Sequence, residues 1–141
     1  MSYLLDTCLV SEFTLKRADE GVARWLATED EAEMYLSVVT IGELEKGLTR
    51  LKDTGRRKRL RAFIEVEIID RFRGRILVAD EQVWRRWGSV CGVHERSGKG
   101  PLPVLDALIA ATAQVHGLTV VTRNERDFAR CDVPTLNPWA E

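Results

Sequence analysis

The chain has few of the residues that mark secreted, zinc-binding or membrane proteins. Its 141 residues include 3 cysteines and 2 histidines, and Cys8, Cys91 and Cys131 show no paired spacing, which argues against a disulfide framework or a zinc motif. Residues 1–6 contain no basic stretch and end on a charge, so we expect no signal peptide. No apolar run approaches the length needed to cross a bilayer. These absences predict a cytoplasmic protein with reduced thiols and no membrane partner.

Net charge and phosphate-binding glycine loops are also lacking. The 21 basic and 22 acidic residues give a formal net charge of -1, so the overall balance indicates no anionic partner. The segment from Gly98 to Gly100 lacks the spacing of a P-loop or a dinucleotide-binding fingerprint. His94 and His116 have no companion at ligand spacing, so we predict structural roles for both. Length and a hydrophobic content of 45% predict a single domain over residues 1–141.

Short apolar runs alternate with stretches in which apolar residues recur three and four positions apart. The runs predict strands at residues 3–5, 34–39, 76–78 and 118–121. The longer stretches predict helices at residues 10–15, 21–28, 41–52, 57–71, 80–97, 104–116 and 125–129. Because the strands are apolar throughout, the pattern favours a parallel sheet covered on both faces. The predicted fold is therefore a three-layer α/β/α arrangement around a central parallel sheet.

Acidic and amide side chains stand where these strands end or where helices begin. Asp6 ends the first run, and Asn124 and Asp127 follow the last one. Glu43 and Asp106 fall in the first turns of their predicted helices. The carboxyl ends of parallel strands share one edge of a sheet, and the first turns of the following helices hang over that edge. We therefore expect these side chains to converge.

Such a set of oxygen donors has one common chemical use, which is to hold a hard divalent cation. Asp106 stands in an apolar stretch of its helix, where a lone carboxylate is costly unless a cation meets it. Each residue alone has a structural alternative. The segment from Thr40 to Glu43 has the sequence of a capping box, and an acid at a helix start also complements the helix dipole. The coincidence of several acids at one edge favours the cation site.

Four segments, in this order, resemble a known family. They cover residues 4–7, 40–44, 106–113 and 121–128, with the sequences LLDT, TIGEL, DALIAATA and VTRNERDF. Their order and spacing resemble the PIN domain and, within it, the VapC toxins of bacterial toxin–antitoxin pairs. The ending Asn137-Pro138-Trp139 resembles the FitB-like branch of that group.

The resemblance implies a ribonuclease that depends on Mg²⁺ or Mn²⁺, with Asp6, Glu43 and Asp106 around the ion. A metal held in this way activates water for in-line attack on a phosphodiester, and the expected products carry 5′-phosphate and 3′-hydroxyl ends. Two alternatives stay open for the fourth acidic position. Relatives carry either an aspartate where this chain has Asn124 or, as here, an asparagine with an aspartate three residues later, at Asp127. Cys8 replaces the asparagine or serine that is frequent at its position, which removes a polar group.

Polar and basic neighbours of the acids are expected to support the reaction. Thr122 and Asn124 are predicted to orient the ligands, with Thr7 as a further candidate. Arg123 and Arg126 are predicted to contact the RNA backbone, because an acidic pocket repels phosphate unless cations surround it. Such contacts weaken with salt and select no sequence. The denser basic run at residues 56–61 is equally typical of a solvated helix face.

The resemblance also implies protein partners. A VapC-like toxin is expected to form a homodimer and to bind a small VapB-like antitoxin that covers its groove. The complex is expected to bind operator DNA through that antitoxin. Apolar helical faces that could serve as contact surfaces contain Trp25, Leu26, Leu44, Leu48, Leu51 and Leu60. Stripes of this kind more often belong to the core.

Two other functions compete with the ribonuclease hypothesis. The first is a catalytically silent PIN-type module that acts with its antitoxin on operator DNA, but pure binding needs no carboxylate cluster. The second is an aspartyl phosphatase or a receiver domain. Phosphatases of that type need a second aspartate two residues after the nucleophile, where Cys8 stands. A receiver needs paired acids before its first helix and a lysine late in the sheet, and neither is found.

Overall fold

The computed structural model describes residues 1–140, and within this range five short strands form one sheet in the order β3-β2-β1-β4-β5. The strands are β1 Tyr3–Leu5, β2 Met34–Ser37, β3 Ile76–Leu77, β4 Thr119–Val121 and β5 Thr135–Leu136. All neighbouring pairs are parallel. Their carboxyl ends therefore lie at one edge of the sheet, with β1 at its centre.

Seven α-helices of the described chain connect and cover these strands. They are α1 Thr7–Glu12, α2 Glu20–Thr28, α3 Val38–Thr49, α4 Thr54–Ile64, α5 Glu81–Arg96, α6 Val104–His116 and α7 Glu125–Ala129. A π-helical segment, Glu65–Asp70, continues α4, and 3₁₀ turns occupy Glu31–Glu33 and Pro138–Ala140. Within residues 1–140 no helix is both long and apolar enough to span a membrane.

The central strand divides the hydrophobic core into two halves, because successive side chains of a strand point to opposite faces. Leu4 packs with buried residues of α5, α6 and α7. Tyr3 and Leu5 pack with buried residues of α1, α2, α3 and α4. The predicted three-layer α/β/α fold with a central parallel sheet is thus confirmed.

Two helices begin three residues earlier than predicted. Helix α1 starts at Thr7, and α3 starts at Val38 after Ser37, whose Oγ accepts a hydrogen bond of 3.0 Å from the Val39 amide. The strand prediction ran into α3 because valines favour strands. The capping-box interpretation is therefore wrong: Thr40 lies inside the helix and Glu43 in its second turn.

The other boundaries differ less. The predictions for residues 104–116 and 125–129 coincide with α6 and α7, and Asp106 lies in the first turn of its helix as predicted. The helix predicted at residues 57–71 is split into α4 and the π-helical segment. Strand β5 was not predicted, because two residues are too short to show a periodic pattern.

Candidate functional site

Asp6 is fixed at the carboxyl edge of the sheet by main-chain and side-chain hydrogen bonds. Its amide donates to the carbonyl of Val121 at 3.0 Å, which continues the pairing of β1 with β4. Its Oδ1 caps α1 by accepting from the Thr7 amide at 2.8 Å, and its Oδ2 accepts from the Thr122 hydroxyl at 2.7 Å. Only 3% of Asp6 is exposed, so the carboxylate has a single, well-defined orientation.

Thr122 connects Asp6 to the turn that follows β4. Its buried hydroxyl donates to Asp6 and accepts a hydrogen bond from the Asn124 amide at 2.9 Å. The side chain of Asn124 is exposed and makes no capping hydrogen bond to α7. Asn124 thus contributes to this site through its main chain, whereas Thr122 contacts the buried acid directly.

Glu43 reaches the same edge through a chain of hydroxyl groups. Thr7 Oγ1 donates to Glu43 Oε1 at 2.7 Å and lies 2.9 Å from Thr40 Oγ1. A hydroxyl has one hydrogen, and Thr7 gives it to Glu43, so Thr40 donates to Thr7. Sequence reasoning missed Thr40 because it assigned this hydroxyl to a helix cap. The available signal was its spacing of three residues from Glu43, which places both on one helical face.

Cys8 supplies a weak donor where the family resemblance gives asparagine or serine. Its Sγ lies 3.3 Å from Asp6 Oδ2 and 3.7 Å from Thr122 Oγ1. Burial, together with the charge of Asp6, raises the pKa of the Cys8 thiol to about 11. The thiol is therefore protonated at neutral pH, and the position keeps some polar character.

The pKa of Asp106 reflects burial and electrostatic repulsion from the other acids. Burial and, to a smaller extent, the charges of Asp6, Asp127 and Glu43 together raise the pKa of its carboxyl to about 6, while Arg130 opposes them. These acids come from the end of β1, from α3, from α6 and from α7. The structure thus brings side chains from four elements into one repelling group, which we call the acidic edge: Asp6, Glu43, Asp106 and Asp127.

The donor set of the acidic edge suits a hard divalent cation, which takes carboxylate oxygens as ligands. Like charges held together in a partly buried place also call for a compensating cation. As the side chains stand within residues 1–140, no three acids, histidines or cysteines come close enough together to hold an ion. Charge repulsion acts over longer distances than ligand bonds of about 2–2.6 Å. The other acids can therefore raise the pKa of Asp106 without lying close enough to share an ion with it.

Asp127 carries a charge that acts on Asp106, which the neutral alternative for the fourth position, Asn124, does not. This charge contributes to the raised pKa of Asp106. Asp127 Oδ1 also accepts from Arg130 Nη2 at 3.1 Å, and both side chains are 40% exposed. A half-exposed pair of this kind is weak, so Asp127 is available to exchange Arg130 for another cation.

The two arginines predicted to contact RNA lie on the surface beside this edge. Arg123 is exposed, and its guanidinium lies 4.9 Å from the centroid of the Trp139 ring. Arg126 is exposed and forms no ion pair with the described part of the chain. The aromatic contact positions Arg123, whereas Arg126 is left to solvent.

Comparison with known proteins gives consistent matches over almost the whole chain. Residues 3–134 match the family model described as PIN domain. The chain is 36% identical over 136 residues to toxin FitB of Neisseria gonorrhoeae, which covers 96% of this chain and 97% of that protein. It is 32% identical over 136 residues to VapC ribonuclease Y4jK of Sinorhizobium fredii, with 96% of each chain covered. A chain of the solved structure of FitAB bound to a DNA fragment superposes with a TM-score of 0.89 at 34% identity, covering 97% of this chain and 95% of that one.

Proposed function

The chain belongs to the PIN-domain family, and from this premise we propose that it is the ribonuclease toxin of a toxin–antitoxin pair, dependent on Mg²⁺ or Mn²⁺. The names of its relatives, a toxin and a VapC ribonuclease, support this function. The observation that carries the proposal is the acidic edge, where neighbouring charges and burial raise the pKa of Asp106 to about 6. A bound cation would offset the repulsion among these carboxylates, and a metal-dependent nuclease binds such a cation at its active site.

Asp6, Glu43 and Asp106 would hold the ion, with Asp127 in the fourth position. When bound, such an ion activates water and offsets the charge that develops on the phosphate. Hydroxyl groups of the chain fix the orientation of two of these carboxylates. Thr122 orients the Asp6 carboxylate, and Thr7 orients that of Glu43.

Arg123 and Arg126 would hold the RNA backbone beside the acids. The acidic edge alone repels phosphate, and these two guanidinium groups flank it on the turn after β4 and on α7. Their contribution is an electrostatic attraction that weakens as salt rises. The Trp139 ring under Arg123 limits the positions that this side chain visits.

Cleavage of RNA by the purified protein, freed of any partner, tests the proposal. Single-stranded RNA should be degraded with Mg²⁺ or Mn²⁺, and a chelator should stop the reaction. Asp6→Asn and Asp106→Asn should each lower the rate by more than about 100-fold, since even the outer partners of metal ligands contribute about 10–100-fold. Circular dichroism would verify that both variants are folded.

Glu45→Gln is the matched control. Glu45 lies on α3, is exposed, and pairs with Arg61 at 3.1 Å outside the acidic edge. Its removal should leave the rate within about twofold of wild type, because exposed pairs contribute little. Cleavage that persists in chelator, or full activity of the Asp6→Asn, Asp106→Asn double variant, would refute the metal mechanism. A folded, partner-free protein that cleaves no RNA with either metal would favour the silent binding module.

The antitoxin would dock in a groove of about 230 Å³ between α1, α3 and α4. This groove begins at Thr7 and Glu43 and continues along apolar side chains of Leu44, Leu48, Leu51 and Leu60. The solved FitAB complex supports a partner protein of this kind. Because the groove starts at the acidic edge, an apolar antitoxin segment seated there would also obstruct the RNA. Of the leucines in the groove, Leu44 and Leu48 are buried, as is Trp25, so the partly exposed Leu51 and Leu60 would make the contact.

The proposal predicts a short antitoxin encoded beside this chain, and a binding measurement with that protein tests the groove. Leu51→Glu should weaken binding by more than about tenfold, since a charge would be buried against apolar partners. Val66→Glu, on the exposed side of the π-helical segment, is the control and should leave affinity unchanged. Equal losses in both variants would rule out this groove, and the lack of any such neighbouring protein would favour a solitary nuclease.

We also propose the larger assembly. The matched range 3–134 spans almost all of the chain, which supports one domain over residues 1–141. The FitAB structure with DNA supports a toxin–antitoxin hetero-oligomer that binds operator DNA. In our proposal this complex contains a toxin homodimer and binds the DNA through the antitoxin. Such a complex would act in the cytoplasm, where its RNA substrate and its operator are found.

A further inference from the structure

A cavity of about 350 Å³ lies beside the acidic edge, between α5, α6 and the residues that follow α7. Its polar lining includes Arg86, His94, Lys99, Gln114 and Arg130. Arg130 connects the cavity to the acidic edge, because it lines the cavity and its guanidinium donates to Asp127 at 3.1 Å. None of the residues assigned to metal binding lines this cavity.

His94 and Gln114 line the cavity, and each has a buried hydrogen-bonding atom without a partner in the described chain. His94 is only 7% exposed, and its Nε2 has no hydrogen-bond partner within residues 1–140. Gln114 Nε2 donates to the carbonyls of Cys131 and Asp132 at 2.8 and 3.0 Å, while its buried Oε1 is without a partner in the same range. Buried polar atoms without partners are uncommon in native proteins because they are costly. A ligand with its own donors and acceptors would satisfy them.

The cavity is positively charged although the whole chain is not. Arg86, Lys99 and Arg130 face one acid, Asp132, in its lining, whereas the formal net charge of the chain is -1. Arg86 and Lys99 form no ion pair with any carboxylate of the described chain. Cations of this kind attract phosphate groups.

We propose that this cavity binds one nucleotide of the single-stranded RNA substrate. Arg86 and Lys99 would hold its phosphate, and His94 and Gln114 would read its base. The inference rests on the proposed ribonuclease function, which supplies the RNA. Proteins recognise RNA sequence mainly through unstacked bases that meet histidine, arginine or aromatic side chains and polar atoms. The volume lies within the range of small-ligand pockets, about 300–1,000 Å³. The cavity would thus give the reaction a base preference that backbone contacts cannot provide.

Nuclear magnetic resonance of the histidine side chains tests this directly. The chain has 2 histidines, so a His116→Gln variant assigns both imidazole signals. Each of AMP, GMP, CMP and UMP would be titrated into the wild-type protein in chelator, where no metal-dependent cleavage takes place. The His94 signals should shift in a saturable way with at least one nucleotide, and those of the exposed His116 should not.

Two rim variants and one control separate this site from general electrostatic attraction. Lys99→Gln and Arg86→Gln should each weaken the fitted Kd by about tenfold, because each removes a charge-assisted hydrogen bond. Arg96→Gln removes an exposed charge from the same helix but outside the cavity lining, and it should change the Kd by less than about twofold. His94→Gln, which keeps a side-chain donor and acceptor, should reduce the differences among the four nucleotides.

The inference is overturned if all four nucleotides leave the His94 signals unchanged, if Arg96→Gln weakens binding as much as Lys99→Gln, or if inorganic phosphate alone binds as tightly as the nucleotides. These results are independent of the cleavage assay. A protein that cleaves RNA but binds no nucleotide here would retain the proposed function and lose the cavity. A protein that binds nucleotides here but cleaves no RNA would retain the nucleotide site and lose the proposed ribonuclease function.

Discussion

The hydroxyl of Thr122 is shared between the Asp6 carboxylate and the Asn124 amide. Thr122→Val has nearly the same shape but leaves both partners unsatisfied in a buried place, so we expect it to lower the free energy of unfolding by about 1–3 kcal/mol. It should also slow RNA cleavage by about 10–100-fold, since Asp6 loses its orientation. Urea denaturation and the cleavage assay would measure both effects.

Thr122→Ser is the control for that substitution. It retains the hydroxyl and removes only a methyl group, so cleavage should stay close to wild type and the loss of stability should be about 1 kcal/mol. A Thr122→Val protein as stable and as active as Thr122→Ser would contradict the role assigned to this hydrogen bond.

The raised pKa of Asp106 predicts how stability changes with pH in metal-free protein. Below an ordinary aspartate pKa of about 4 the carboxyl is protonated in both folded and unfolded chains. Between about pH 4 and pH 6 the unfolded chain loses this proton while the folded chain keeps it. Rising pH therefore destabilises the fold in this window, and above about pH 6 the destabilisation is constant.

Asp106→Asn removes this effect. At pH 7 in chelator the variant should be more stable than wild type by about 1–2 kcal/mol, a value reduced for the partial exposure of the side chain. The difference should vanish near pH 4. Thermal unfolding at several pH values would measure it, with Glu45→Gln as a carboxylate outside the acidic edge. A constant difference from pH 4 to pH 8 would contradict the prediction.

Single residues of the site could be located from the sequence where they depended on strand ends. Asp6 and Thr122 follow apolar runs, and Asp106 begins a helix whose bounds were predictable. Thr40 was missed although its spacing from Glu43 placed both on one helical face, but its contact with Thr7 depends on how α1 meets α3. The contact of Cys8 with Thr122 likewise depends on how β1 meets β4. Tertiary contacts of this kind leave no periodic pattern in the sequence.

Helix α2 approaches the C-terminal turn so closely that only glycine fits at the contact. A Cβ atom at Gly21 would lie 2.4 Å from the carbonyl oxygen of Pro138. We expect Gly21→Ala to cost about 1–3 kcal/mol, since α2 or the turn at Pro138 must shift. Thermal or urea unfolding would measure the loss.

Gly92→Ala is the matched substitution in α5. Nothing lies within 4 Å of a Cβ placed there, so alanine should instead stabilise the fold by up to about 1 kcal/mol through its helix propensity. If both variants changed stability in the same direction, the close approach at Pro138 would not control the effect.

At the scale of elements, periodicity identified the long helices and the apolar strands, and it failed where local signals competed. Val38 and Val39 have the composition of a strand, yet the Ser37 cap turns them into the first turn of α3. The continuation of α4 into a π-helical segment has no distinct sequence signal, since the apolar residues Ile64 and Ile68 keep a helical spacing through it.

The stability of the whole molecule should respond to the ion that the acidic edge is proposed to bind. An ion that binds only the folded chain adds about 2.7 kcal/mol at a concentration 100 times its Kd. Mg²⁺ or Mn²⁺ should therefore raise the Tm of the wild-type protein by several degrees. The shift should be lost in Asp6→Asn and Asp106→Asn and retained in Glu45→Gln. An undiminished shift in Asp106→Asn would show that the ion binds elsewhere.

The layered architecture was predictable because it follows from continuous apolar strands, whereas the cavity between α5 and α6 was not. His94 was predicted to be structural on the ground that it lacks a companion at ligand spacing. Its neighbours at the cavity, Gln114 and Arg130, come from other elements, and their arrangement follows from how α6 and α7 pack.

The state of the three thiols bears on how the protein can be labelled. Burial raises the pKa of Cys8 and Cys131 to about 11 and also raises that of Cys91. Maleimide dyes react with thiolates, so the native cysteines should react slowly at neutral pH. A single cysteine introduced at an exposed position such as Val66 could then carry a fluorophore without prior removal of the native ones, and its emission would report partner binding in a sequence otherwise left intact.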